Sequence, residues 1–286
     1  MKTQINFIGI SIVVLIGVMI FWFFPVQAEN LPLANQVSTV EATAASTTES
    51  TSNLYVVLKD GKAGYIDKTG KLVIQPQYEG SSASSFSEGL AAVEVGDKWG
   101  FIDKTGMFVI QPHYIAAGNF SEGLARVDVD GKWGYVDPTG AFVIQAQYNF
   151  ADDFGEALAP VAIAKKFGFI DKTGKFAVQP QYDGPVAGRF SGGLAAVVVN
   201  GKAGYIDKTG KLVIKPQYDA AAPFSEGLAV VKVGDKWGFI DTTGLPIVKP
   251  QDDLADSFSE GLAAVKVDGK VGYIDKTAKY VWEPSS

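Results

Sequence analysis

The sequence predicts an all-β repeat protein, and three observations carry that expectation. One glycine recurs at Gly64, Gly100, Gly134, Gly168, Gly204, Gly238 and Gly272, with successive spacings of 36, 34, 34, 36, 34 and 34. A period of that size marks one supersecondary unit copied along the chain. Each unit holds three short runs of strand-forming residues separated by turns rich in Gly and Asp. Composition agrees, since 32 glycines and 12% aromatics favour short strands and tight turns.

Ahead of the repeats, Lys2 precedes an apolar run of 18 residues from Phe7 to Phe24, followed by Pro25-Val26-Gln27-Ala28. A basic start, an apolar stretch and small residues before Glu29 describe an export signal cleaved after Ala28. The run is also just long enough to span a bilayer, so residues 1–28 are a signal peptide or an N-terminal membrane anchor. Both readings leave Lys2 in the cytoplasm and make the rest an exported protein: periplasmic, on the cell surface or secreted. Residues 29–53 are rich in Ser, Thr and Ala without hydrophobic periodicity, which predicts a disordered linker. Residues 54–284 then carry seven repeats.

Within a unit the first strand is exemplified by Leu90 to Val95, where Ala91, Val93 and Val95 alternate with Ala92 and Glu94. The alternate positions elsewhere hold Arg126, Asp128, Lys232 and Lys266, which predicts a strand buried on one face. The second strand, Trp99 to Asp103, and the third, Phe108 to Gln111, are apolar on both faces and require cover on both sides. D-K-T-G and its variants join these two strands, beginning at Asp67, Asp103, Asp137, Asp171, Asp207 and Asp241. Asp at the first turn position accepts backbone N–H bonds, and Gly supplies the left-handed residue. In the last copy Ala278 replaces that Gly, which predicts the loosest hairpin. Proline at 76, 112, 180, 216 and 250 is expected to end the third strand.

The two longer spacings have one source. The connections Tyr78–Phe86 and Tyr182–Phe190 each carry two extra residues, after the third strand. The residue after the register glycine alternates Tyr65, Phe101, Tyr135, Phe169, Tyr205, Phe239, Tyr273. Duplication of a two-unit block explains this, as would different surroundings for odd and even units.

The string K-W-G-F-I-D-K-T-G, from Lys98 to Gly106, followed by V-I-Q-P and then F-S-E-G-L-A-R-V, resembles the bacterial WG repeat, also called the KWG repeat. The resemblance covers about residues 54–284 and implies the repeat architecture with little chemistry, because the family is generally described as of unknown function. Its signature falls on Trp99, Gly100, Asp103 and Gly106, on Trp133, Gly134, Asp137 and Gly140, and on Trp237, Gly238, Asp241 and Gly244. Ala63, Phe167, Ala203 and Val271 replace the Trp in the remaining units.

Function classes narrow by exclusion. The formal net charge is −6, and the only arginines are Arg126 and Arg189, so the clustered cations a nucleic-acid binder needs are missing. With no Cys and one His, His113, no thiolate site, catalytic triad or multi-histidine metal centre can be assembled. Tryptophans over a glycine read as packing, turn aspartates as caps, and the Glu of F-S-E-G-L (Glu88, Glu122, Glu226, Glu260) as a loop residue. No catalytic, cofactor or metal residue is assigned.

Units whose strands need cover on both faces must stack. A β-propeller of seven three-stranded units meets that need by closing a ring without end caps, and an open β-solenoid is the alternative. F-S-E-G-L is the candidate for a short fourth strand. The expected role is a non-enzymatic binding or scaffold module at the cell envelope, engaging a protein or a cell-wall glycan. A spacer without a ligand and a cryptic envelope hydrolase are the alternatives. Candidate ligand contacts are Tyr78, Tyr114, Tyr148, Tyr182 and Tyr218. The two longer connections break the repeat symmetry and are the first places to look for a site.

Overall fold

The structure, a computed structural model, describes residues 53–80, 82–183 and 188–284. The predicted signal or anchor and all but the last residue of the predicted linker lie outside them. The described residues form antiparallel strands throughout, in seven units. Unit 2 shows the plan: Ala91–Val95, Lys98–Ile102 and Phe108–Tyr114, paired in that order. Unit 3 repeats it with Ala125–Val129, Lys132–Val136 and Phe142–Tyr148, and the same order recurs to unit 7.

The turns form as the residue types dictate. In unit 3 the Asp137 carboxylate accepts bonds from the Thr139 amide (2.9 Å), the Thr139 hydroxyl (2.6 Å) and the Ala141 amide (3.1 Å). The last copy closes in the same way. Ala278 takes a left-handed conformation (φ 67°) and its amide still reaches the Asp275 carbonyl at 3.0 Å. The Asp275 cap thus holds alanine in a conformation that favours glycine.

Three expectations need correction. Proline does not end the third strand, which runs through Pro76, Pro112, Pro180 and Pro216 to Glu79, Tyr114, Asp183 and Tyr218. The register slips beside each proline, as between Trp99 and Phe101 against Tyr114 and Ile110. Proline sits in that bulge, where no ladder N–H is needed. This fixes the register glycine: a Cβ on Gly100 would lie 2.6 Å from the Ile110 carbonyl oxygen and 2.7 Å from the Pro112 nitrogen. Secondly, the first strand is covered on both faces over its first half, with Ala91, Ala92 and Val93 all buried. Thirdly, the short fourth strand comes from the residues just after the third strand. Ala116–Ala117, Phe150–Ala151, Ala220–Ala221 and Leu254–Ala255 each add to the following unit's sheet. F-S-E-G-L instead forms a turn bridged from Ser to Leu, as at Ser121 and Leu124. The two longer connections replace the short strand by single pairings, Ala83 with Val93 and Asp183 with Val198.

The core is a series of interfaces between successive units. Between units 2 and 3, Phe101, Ile110 and Tyr114 pack against Phe120, Val127 and Val136. The residue after each of the first six register glycines meets the Phe that opens the next F-S-E-G-L-type turn edge-on or tilted, with centroids 4.8–5.0 Å apart, from Tyr65–Phe86 to Phe239–Phe258. The Ser hydroxyl of that motif bonds the carbonyl of the next such Phe, as Ser87 to Phe120 at 2.7 Å. The Glu carboxylate accepts an amide of the next turn, as Glu122 from Ala157 at 3.0 Å. Alternating Tyr has a use too: Tyr65, Tyr135 and Tyr205 donate hydroxyl bonds to Ser84, Asp152 and Ala222 carbonyls.

Six such interfaces exist among the described residues, and the seventh, between unit 7 and unit 1, does not. Tyr273 is 44% exposed, whereas its sisters Phe101, Tyr135, Phe169, Tyr205 and Phe239 are fully buried. The fold is all-β and propeller-like, as the repeat predicts, and among the described residues no packed interface joins unit 7 to unit 1.

Candidate ligand-binding site

The five tyrosines expected to touch a ligand do not face solvent. Tyr78, Tyr114, Tyr148, Tyr182 and Tyr218 are all buried. Tyr78 and Tyr182 donate to the carbonyls of Gly106 and Gly210 in the next unit's turn, at 3.2 and 2.9 Å. The bulge turns these rings inward, so they staple neighbouring units. The signature residues behave as structure: Trp99, Trp133 and Trp237 are half-buried, and the register glycines and turn aspartates serve the bulge and the cap.

A repeat protein announces a site where its symmetry fails. The position eight residues before the register glycine holds Val56, Ala92, Pro160, Ala196, Val230 and Ala264 in six units, and Arg126 in unit 3. That position faces a unit interface, where Ala92 and Ala196 are buried. An arginine there must find partners, because a charge without them is costly to bury. Nη1 of Arg126 bonds the Asp152 carboxylate at 2.7 Å and the Ala151 carbonyl at 2.9 Å. Its Nε lies 3.2 Å from Oδ1 of Asp153, and its guanidinium stands 5.5 Å from the Trp133 ring centroid. Arg189, the other arginine of the chain, approaches Oδ2 of Asp153 at 4.0 Å.

Gly118 makes the room. A Cβ there would meet Arg126 Nε at 2.5 Å and Asp153 Oδ1 at 2.8 Å. Asp153 is the most enclosed member, its side chain 13% exposed. Burial pushes its carboxyl above the ordinary aspartate value, and Arg126 pulls it back. Nε of Arg126 and Oδ1 of Asp153 are close but poorly aligned, and neither has a hydrogen-bond partner. A buried donor and acceptor left over at one point favour a polar group that can satisfy both.

These residues line an open cleft of about 260 Å³, with Ser82, Ser84, Trp99, Asn119, Arg126 and Asp153 on its walls. The first longer connection lines it with Ser82 and Ser84, and Arg189, at the end of the second, approaches its wall residue Asp153. Aligned by register, Ser85, Asn119, Asp153 and Arg189 share one position, immediately before the Phe of F-S-E-G-L. Four consecutive units thus hold a polar residue at one register position, and Asn119 and Asp153 of the four line the cleft. The signal was in the sequence, since Arg126 is the one charged residue in its register column.

A family model described as a WG containing repeat matches residues 64–99, 99–133, 133–166, 167–202, 204–237 and 237–270. These windows run from one register glycine toward the next, so seven glycines give six matches. No curated protein matches the chain in sequence. Among solved structures, a dihydro-heme d1 dehydrogenase, NirN, is similar at TM-score 0.50 and 14% identity over 82% of this chain. The chain spans 64% of the length of that protein. A eukaryotic initiation factor is similar at TM-score 0.54 and 12% identity, over 82% of this chain and 74% of that one. Both are β-propeller proteins, and at these identities the likeness concerns the fold alone.

Proposed function

We propose, from the premise that this chain belongs to the WG containing repeat family, that it is an exported, non-enzymatic binding module whose ligand enters the Arg126–Asp153 cleft. The observation that carries this reading is the convergence of both arginines on Asp153, in a frame whose other units hold small apolar residues at the Arg126 position. Cell-wall glycan suits the cleft better than a protein segment does. Arg and Asp side by side offer donors and acceptors to neighbouring sugar hydroxyls, and the half-buried Trp99 offers an apolar wall for a sugar face. The small volume suits the end of a glycan, since drug-sized ligands fill pockets of about 300–1,000 Å³. Export rests on the N-terminal sequence alone, with the apolar run from Phe7 to Phe24 ahead of Ala28.

One observation favours a second reading, an envelope hydrolase. Asp152 and Asp153 are adjacent carboxylates in different surroundings, and Asp153 is raised by burial. Both are tied to one guanidinium, which opposes the roles of free acid and free base that glycoside hydrolysis requires. Co-sedimentation with insoluble cell-wall polysaccharide tests both readings at once. Saturable pelleting that Arg126→Ala weakens about tenfold or more, without release of reducing sugar, is the expected result. Sugar release would move the assignment to the hydrolase. Absence of pelleting would remove the glycan reading and leave a protein partner or a ligand-free spacer.

A further inference from the structure

The two end units leave complementary faces bare. On unit 7 the face that would meet a following unit carries Leu262, Ala264, Tyr273 and Trp282, none of them buried. The matching residues of unit 2, Leu90, Ala92, Phe101 and Ile110, are all buried against unit 3. On unit 1 the face that would meet a preceding unit carries Tyr55, Val57 and Ile66, again none buried. At the Tyr55 position the other six units hold alanine, buried to 1% or less. At the Ile66 position the other six hold Ile or Val, buried to 3% or less.

We propose that the bare face of unit 7 docks on the bare face of unit 1 in a second copy of this chain. The six internal interfaces say what such a face takes: each is covered by the opposite face of a neighbouring unit. Within one chain the two bare faces do not cover each other, so a second copy supplies what each lacks. The end residues are also altered in the way an intermolecular contact favours. Tyr55 stands where the interior has alanine, at 52% exposure, and Trp282 stands where the interior has Ile or Val, at 61%. Large aromatics of this kind are enriched at protein interfaces and dominate their energetics. The contact is heterologous, front to back, so copies add in a row until the geometry closes or the supply runs out.

The test is a complementation experiment on the full chain in mild detergent, followed by sedimentation velocity. Wild-type mass should rise about twofold or more over about a hundredfold rise in concentration. Tyr55→Asp spoils only the unit 1 face and Tyr273→Asp only the unit 7 face. Each variant alone should stay monomeric, and their equimolar mixture should form dimers and stop there, since one sound face of each remains. Trp282→Asp should act as Tyr273→Asp does, so a folding defect in one variant, checked by circular dichroism, does not decide the matter. A wild-type chain that stays monomeric would overturn the proposal, whether its faces close within one molecule or are covered by its own N-terminal segment. So would single variants that still assemble, or a mixture that stays monomeric.

Discussion

Units 3 and 7 are built from the same three strands and the same turn, yet their central aromatics live in different worlds. Tyr135 is fully buried between Phe154 and the rest of the interface, and Tyr273 is 44% exposed. The two residues occupy one register position and both belong to antiparallel ladders. What differs is the neighbour. A unit of this repeat does not own a core: it contributes half of one interface on each face, and the next unit supplies the remainder.

The sharpest way to break that comparison is to truncate both aromatics. Tyr135→Ala should cost about 3–5 kcal/mol, from lost burial, a cavity and the bond to the Asp152 carbonyl. Tyr273→Ala, measured in dilute solution, should cost less than about 1 kcal/mol. Denaturant unfolding of the two variants checks this, and equal costs would mean that the unit 7 face is covered in the monomer.

The same pair of units differs at the register position of Arg126 and Ala264. Arg126→Ala should cost about 1–3 kcal/mol, less than a fully buried ion pair because the arginine side chain is 26% exposed. The loss comes from Asp153, left enclosed without its main counter-charge. Burial already raises the Asp153 carboxyl, and removing Arg126 raises it further. A folded-state value above the unfolded one makes stability greatest below the unfolded value and diminishes it as pH rises through the folded one. The deficit of the variant should therefore be full at neutral pH and fade as pH falls toward about 4. Adding Asp153→Asn should recover most of it at neutral pH, and a pH series of unfolding midpoints for the three variants measures both effects.

How much of this could be read beforehand follows from which interactions are local. The turn at Asp137 was legible because its bonds reach only to Thr139 and Ala141, and the repeat itself was legible from the register of its glycines. The passage of the third strand through proline is not legible in one strand, because a bulge is a property of two, seen only when Gly100 meets Ile110 and Pro112. The inward turn of the tyrosines such as Tyr114 is hidden from the sequence for the same reason: the bulge decides which way they point. The Arg126 site is not local, since its partners lie 26 and 27 residues away, in the next unit's approach. Comparing the units column by column exposes Arg126 at once. Finding that Asp153 and Arg189 reach the same point needs the stacking that places unit upon unit.

The smallest expected effect returns to the end unit. Ala278 adopts φ 67° because the Asp275 cap and the strand register leave no other closure, while six sister turns use glycine there. A left-handed residue with a Cβ costs about 1–2 kcal/mol relative to glycine. Glycine's greater freedom in the unfolded chain takes back part of that difference. Ala278→Gly should therefore stabilise unit 7 by about 1 kcal/mol. Hydrogen exchange is the suitable measurement, because an end unit with one partner opens more readily than the interior. Protection should rise at the amides of Tyr273 and Ile274 and stay unchanged at Tyr135. A rise spread equally over all seven units would mean that the stack opens as a single cooperative body, with no distinction between interior and end.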